Sequence, residues 1–151
     1  MAIDHSGSLA LLYGRRYLAL VNLDEPAETL KKVQRQSKYE VGTADWNPTI
    51  SQGQLFAFAV IFCLKMKLDD GIKKMYFQSN QRVEVLRWTN CDLSTEHSLK
   101  AHTRVVADLH WHRTDPNLLA TCSLDTFIHI WDLRDIRRPS LSFSAVGEKN
   151  N

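Results

Sequence analysis

The stretch AHTRVVADLHWHRTDPNLLATCSLDTFIHIWD, Ala101 to Asp132, constrains the fold of this chain more than any other. Three short runs follow one another in it: Arg104 to Trp111, Leu118 to Ser123 and Phe127 to Trp131. Each alternates apolar and polar residues closely enough to be a strand with one buried face. The polar turn Arg113 to Asn117 separates the first two, and the exposed turn residues Leu124, Asp125 and Thr126 separate the second from the third. The segment therefore predicts three consecutive antiparallel strands, opened by an Ala-His dipeptide and closed by Trp-Asp.

That arrangement resembles one complete WD40 repeat, a propeller blade of about 40 to 45 residues opened by a Gly-His-like dipeptide and closed by Trp-Asp. Ala101-His102 and Trp131-Asp132 take those two places. The resemblance implies a structural hydrogen-bond chain through His102, Thr121, Asp125 and Trp131. In it the carboxylate holds the imidazole, the imidazole reaches the hydroxyl, and the hydroxyl accepts from the indole N–H. The same residue types make a hydrolase triad. Catalysis is not expected, because the hydroxyl would lie inside a blade and no Gly-x-Ser-x-Gly elbow occurs in the chain.

Weaker copies of the pattern precede this repeat. Leu9 to Tyr13, the turn Gly14-Arg15-Arg16 and Tyr17 to Leu23 read as a hairpin, and Lys31 to Gln36 as an outer, solvated strand in preference to a helical turn over Ala27 to Lys32. Ser37 to Pro48 parallels Thr103 to Asp115, which makes Trp46 and Trp111 equivalent. Gln54 to Ala59 then matches Asn117 to Thr121, and Ser79 to Trp88 reads as the next strand with Trp88 in the place of Trp131. Counting back from Trp88 puts Arg82 opposite Asp125, so the second blade is expected to lack the hydrogen-bonded chain and to rely on packing.

Residues 60–78 match nothing in the repeat. Lys65, Lys67, Lys73 and Lys74 flank a short Asp69-Asp70-Gly71 turn there, and the composition shifts to Ile, Lys, Met and Phe. One reading is an inserted β-hairpin or amphipathic excursion that meets a partner or a membrane surface. The other is retained intron sequence: a Val codon begins with GT, and Phe77-Gln78 can be encoded by a pyrimidine-rich codon followed by CAG. Gly147-Glu148 can likewise be encoded by a donor-like GGTGAG, so 147–151 reads as a non-native tail. The resulting organisation is an incomplete first blade over 1–36, a second blade over 37–100 interrupted by 60–78, a complete blade over 101–146, and the tail.

Composition narrows the function. With 44% hydrophobic and 24% charged residues among 151, the chain has the make-up of an ordinary globular protein. A net charge of +2 from dispersed Lys and Arg provides no basic face for nucleic acid. Cys63, Cys91 and Cys122 form no Cys-x-x-Cys pair, which excludes a zinc ribbon and fits a reducing, cytoplasmic setting. The N-terminus resembles neither a signal peptide nor a membrane span. His110 and His112 lack a third ligand at metal-binding spacing, and Asp69-Asp70-Gly71 lacks the further oxygens of a calcium loop. Arg137-Arg138-Pro139-Ser140 has the pattern of a basic phosphorylation site, against the plainer reading of a solvated loop between two strands. No cofactor, metal or small-molecule substrate is expected.

With residues 60–78 set aside, the chain is similar to the N-terminal propeller region of the WD-repeat subunits of the GATOR nutrient-sensing assembly. The similarity rests on Gly14 to Leu18, Val21 to Asp24, Arg35 to Lys38, Trp46-Asn47-Pro48, Ser79 to Val83 and the run His102 to Val146. Several of these lie outside the general WD40 pattern. The resemblance implies an all-β fold, a partial WD40 β-propeller of about two and a half blades of four-stranded antiparallel sheet with one non-repeat insertion. It implies a scaffold without catalysis, partnered by other GATOR subunits and working at the lysosomal or vacuolar membrane surface to convey amino-acid sufficiency to the TOR kinase. An intron-retaining product with little function of its own, or a generic WD40 adaptor, is the alternative.

Overall fold

The computed structural model describes residues 1–26, 29–34, 40–49, 55–61, 67–69, 72–74, 81–89 and 92–144. These residues are all-β, built as three four-stranded antiparallel sheets and one separate two-stranded sheet, with no helix among them. Sheet one runs β1 (Ala2–Ile3), β2 (Leu9–Tyr13), β3 (Tyr17–Asn22), β4 (Thr29–Gln34) in order. Sheet two contains β5 (Glu40–Trp46), β6 (Leu55–Ile61), β9 (Arg82–Thr89) and β10 (Asp92–Lys100), paired in that order. Sheet three contains β11 (Val106–Trp111), β12 (Leu118–Ser123), β13 (Phe127–Asp132) and β14 (Leu141–Ser144). The first strands β1, β5 and β11 lie next to one another from sheet to sheet, so they form the inner edge of a fan of blades. This is the architecture of a partial WD40 propeller, without a closed ring.

Sequence reading supplies three strands for the first sheet. The fourth is the two-residue β1, too short to show any period but fixed by pairing Ala2 with Leu11 and Ile3 with Ala10. The alternating outer segment lies in β4, with residues 35 and 36 outside the described ones.

The repeat is clearer in the backbone than in the residues. The residue after each inner strand donates its N–H to the first residue of the second strand: Asp4 to Leu9 O at 3.0 Å, Asn47 to Leu55 O at 2.8 Å, His112 to Leu118 O at 2.9 Å. Each also accepts, through its side chain, the N–H two residues on, from Ser6, Thr49 and Thr114. An Asp, an Asn and a His thus close the same turn, because all that the turn requires is an acceptor on a short stem. The β5–β6 and β11–β12 ladders also shift register at the same place, between Val41 and Thr43 and between Val106 and Asp108.

Aligning the sheets on this turn corrects one equivalence. Trp46 pairs with Phe56 and Phe56 with Leu86, as Trp111 pairs with Leu119 and Leu119 with Trp131. Leu86, not Trp88, occupies the place of Trp131, and Arg82 corresponds to Phe127 rather than Asp125. Trp-for-Trp matching slips the strand by two residues, and a slip of two preserves the facing of every side chain, so periodicity cannot detect it. In this register the second sheet has Phe58 where the third has Thr121, and neither Phe58 nor Leu86 supplies the hydroxyl or indole of a polar chain.

Two apolar layers hold the fan together. Between sheets one and two lie Ala2, Leu11, Leu18, Leu20, Val41, Trp46 and Leu86. Between sheets two and three lie Leu55, Ala57, Ala59, Val83, Val85 and Leu99 against Leu109, Trp111, Leu119 and Trp131. Small residues on β6 leave room for the two indoles of the next sheet, the large-to-small interdigitation of a close-packed interior. The strand β6 continues through Val60 and Ile61, which pair with Val41 and Glu40 although the repeat pattern leaves them unmatched. Within the stretch that follows, β7 (Lys67–Asp69) and β8 (Ile72–Lys74) pair only with each other among the described residues.

Candidate functional site

The β12–β13 hairpin and the segment entering β11 bring His102, Thr121, Asp125 and Trp131 together. His102 Nδ1 lies 3.1 and 3.2 Å from the two Asp125 carboxylate oxygens, and its Nε2 lies 2.8 Å from Thr121 Oγ1. Trp131 Nε1 donates to the same hydroxyl at 3.1 Å. The consistent assignment has Nδ1–H donating to the carboxylate and Nε2 accepting from the Thr121 hydroxyl. Every polar atom in the row is then satisfied. His102, Thr121 and Trp131 are buried, and the Asp125 side chain is 6% exposed.

Asp125 is also the knot of the local backbone. It accepts from Thr103 N–H at 2.8 Å and Phe127 N–H at 3.0 Å, tying the start of the blade to the hairpin that holds Thr121 and Trp131. Burial on its own pushes this carboxyl up. The Thr103 and Phe127 amides and the His102 imidazole outweigh it and hold the group down at about 2. The turn that presents Asp125 is closed by Thr126 N–H to Ser123 O, with Thr126 at φ 72°. A β-branched residue is strained there, in the left-handed region that suits glycine.

Sequence reasoning missed the fifth member. His129 is buried, stacks on His102 with ring centroids 4.3 Å apart, and meets Trp131 edge-on. Its Nδ1 lies 2.9 Å from Ser142 Oγ, which carries the polar row across to β14. Burial, and then the neighbouring His102, push the His129 imidazole below its ordinary value. The available signal is its spacing, two residues before Trp131 and so on the same buried face of β13.

Chemically this row is a clamp. Thr121 Oγ1 already serves His102 and Trp131 and is shielded from solvent, so it presents no nucleophile to a substrate. Of the pair weighed for metal binding, His112 lies just past β11 and caps its own turn through Thr114 and Asp115, while His110 turns to Asp45 at 3.2 Å. No group of three His, Cys, Asp or Glu side chains suited to a metal occurs among the described residues.

A second polar cluster joins sheets two and three at their inner edge. The Asp45 carboxylate accepts from the Trp111 amide at 3.0 Å, and the Asp45 carbonyl accepts from the Trp111 indole at 3.2 Å. Thr43 Oγ1 donates to Asp108 at 2.9 Å, and buried Asn47 donates to Pro116 O at 2.8 Å. Asp45 and Thr43 stand at the same places of β5 as His110 and Asp108 do in β11, so equivalent residues of neighbouring blades bond to one another.

No family model matches the chain. Over 97% of its length it is 41% identical to "GATOR2 complex protein WDR59" of Gallus gallus and 40% identical to the protein of that name in Homo sapiens. "GATOR2 complex protein Wdr59" of Drosophila melanogaster matches at 40% over the same share. The chain spans 13% of the length of each of these relatives.

Proposed function

From that similarity, 40–41% identity along nearly the whole chain to a WD-repeat protein of the GATOR2 complex, we propose that this chain is a scaffold segment of a GATOR2-type assembly. It holds other protein subunits through the faces and edges of its blades and helps convey amino-acid sufficiency to the TOR kinase. It works in the cytoplasm, at the lysosomal or vacuolar membrane surface, without catalysing a reaction, inserting into the membrane or binding nucleic acid. The similarity carries this reading. It is supported by polar clusters engaged in holding blades together, and by apolar residues exposed on the outer faces of the terminal sheets, Ile3, Leu12 and Tyr17 on one and Ile128, Leu141 and Phe143 on the other.

The test is affinity purification of the tagged 151-residue chain from cells that express the other GATOR2 subunits. Recovery of those subunits in stoichiometric amounts is the expected result. Recovery of none, from a chain shown to be folded by circular dichroism, overturns it. A second reading, an intron-retaining product with little function of its own, is favoured by the self-contained pairing of β7 with β8, which lie between β6 and β9 in the chain but outside sheet two. Transcript reads across the Ala59/Val60 and Gly147/Glu148 codons decide that reading directly.

A further inference from the structure

We propose that Ser140 is a phosphate-acceptor site for an arginine-directed serine/threonine kinase. Of all the serines and threonines in the chain, it alone has arginines at both the third and the second position before it, Arg137 and Arg138. The structure adds what the motif cannot. Leu133 and Ile136 pack against the apolar layer between sheets two and three, which fixes the base of the β13–β14 connection while Arg137, Arg138 and Ser140 stay exposed. Ser140 helps to line an open depression of about 430 Å³, together with Asp135, Arg138, Pro139, Leu141 and Ser142.

Ser142 of β14 and Ser123 of β12 are already engaged. Ser142 Oγ bonds His129 Nδ1, and Ser123 Oγ accepts from the Asp125 amide. The Ser140 hydroxyl has no partner among the described residues; only its N–H is used, donating to Ile130 O at 2.8 Å. The two guanidinium groups differ in the same way. Asp135 holds Arg137 through two bonds of 2.8 and 2.7 Å, whereas Arg138 makes no ion pair among the described residues. A kinase that reads both arginines has to take Arg137 from Asp135 and free one ladder bond, an exposed exchange that costs little.

In the transfer, Ser140 Oγ bonds to the γ-phosphorus of a nucleoside triphosphate. The bond from that phosphorus to the bridging oxygen breaks, its electron pair leaves on the diphosphate, and the hydroxyl proton passes to the kinase's catalytic carboxylate. The product places about two negative charges beside Arg138, directly before Leu141 on the open face of sheet three.

The experiment incubates the full chain with the catalytic subunit of cyclic-AMP-dependent protein kinase and magnesium ATP, following intact mass and mapping the site by fragmentation. One phosphate on Ser140 is expected, and none in Ser140→Ala with an unchanged circular dichroism spectrum. Arg138→Ala lowers the initial rate about tenfold or more, and Asp135→Asn, which releases Arg137, raises it about twofold to threefold. Label that persists in Ser140→Ala, label mapped to another residue, no label on the parent chain, or a rate indifferent to both Arg138→Ala and Asp135→Asn overturns the proposal.

Discussion

Asp125 shows how much of a blade depends on one carboxylate. Three groups donate to it, so Asp125→Ala strands the His102 ring, the Thr103 amide and the Phe127 amide together. The expected loss is about 2 to 4 kcal/mol. Exposed Asp24→Ala should stay within about 0.5 kcal/mol of the parent, and urea melts of the two variants make the comparison. Acid should act through the same residue. Its folded pKa of about 2 lies below the ordinary aspartate value of 3.8, so its stabilisation is complete above pH 4 and is lost as pH falls toward 2, about 2 kcal/mol in all. His129 works in a higher window: its lowered folded pKa means that the unfolded chain takes up the proton first, and stability erodes once pH drops below the ordinary imidazole range. A pH series on His129→Gln should lose the upper step and keep the lower one. Thr126 offers the opposite change. Relief of its left-handed strain should outweigh the added freedom of glycine in the unfolded chain, so Thr126→Gly should gain about 0.5 to 1 kcal/mol, visible as a melting point raised by a few degrees.

At the scale of the element, blades are joined by inner strands whose equivalent residues bond across the gap. Asp45→Ala removes the acceptor of the Trp111 amide and should cost about 1 to 2 kcal/mol. Its coupling to the exposed His110 should stay below about 1 kcal/mol in a double-mutant cycle. A larger coupling there would place the joint in the imidazole rather than in the backbone amide. The β7–β8 hairpin has a different standing, since it adds no strand to any blade. The pairing of Ala59 with Val83 sets Ile61 opposite Gln81 if the ladder is continued. Replacing 62–80 with Asn-Gly should therefore close a two-residue hairpin and leave the melting point equal or higher. A lower melting point would mean that the excursion packs on the blade. Single strands were legible in the sequence where one face is more buried than the other, as in β3, β12 and β13, and β2 was legible as a short apolar run before a turn. The two-residue β1 and the true register of β9 were not, because a very short strand has no period and a slip of two leaves the period intact.

The described residues form a fan of three sheets whose two end faces both expose apolar side chains. Each inner blade face finds a partner, but Leu141 is 57% and Phe143 52% exposed on the last sheet, cross-strand from Ile130 and Ile128. Repeat arrays gain their stability from neighbour interfaces, and end faces without a polar surface promote association. The chain should self-associate with rising concentration in light scattering. Leu141→Lys with Phe143→Lys should suppress this, whereas Leu124→Lys, on an isolated exposed turn, should not. Equal behaviour of the two would locate the association elsewhere.

What the sequence determined by itself was the β class, because alternation and turn chemistry are local properties of a chain; the four members of the polar row were implied by the resemblance of Ala101 to Asp132 to a WD40 repeat. Tertiary structure decided what depends on facing surfaces. It recruited His129 and Ser142 to the row, gave the place of Trp131 in the second sheet to Leu86, and set Asp45 against Trp111 across a blade boundary. Those outcomes depend on which strands lie side by side and how far one is shifted along the other, and residues 66 positions apart leave no periodic trace of the bond they will make.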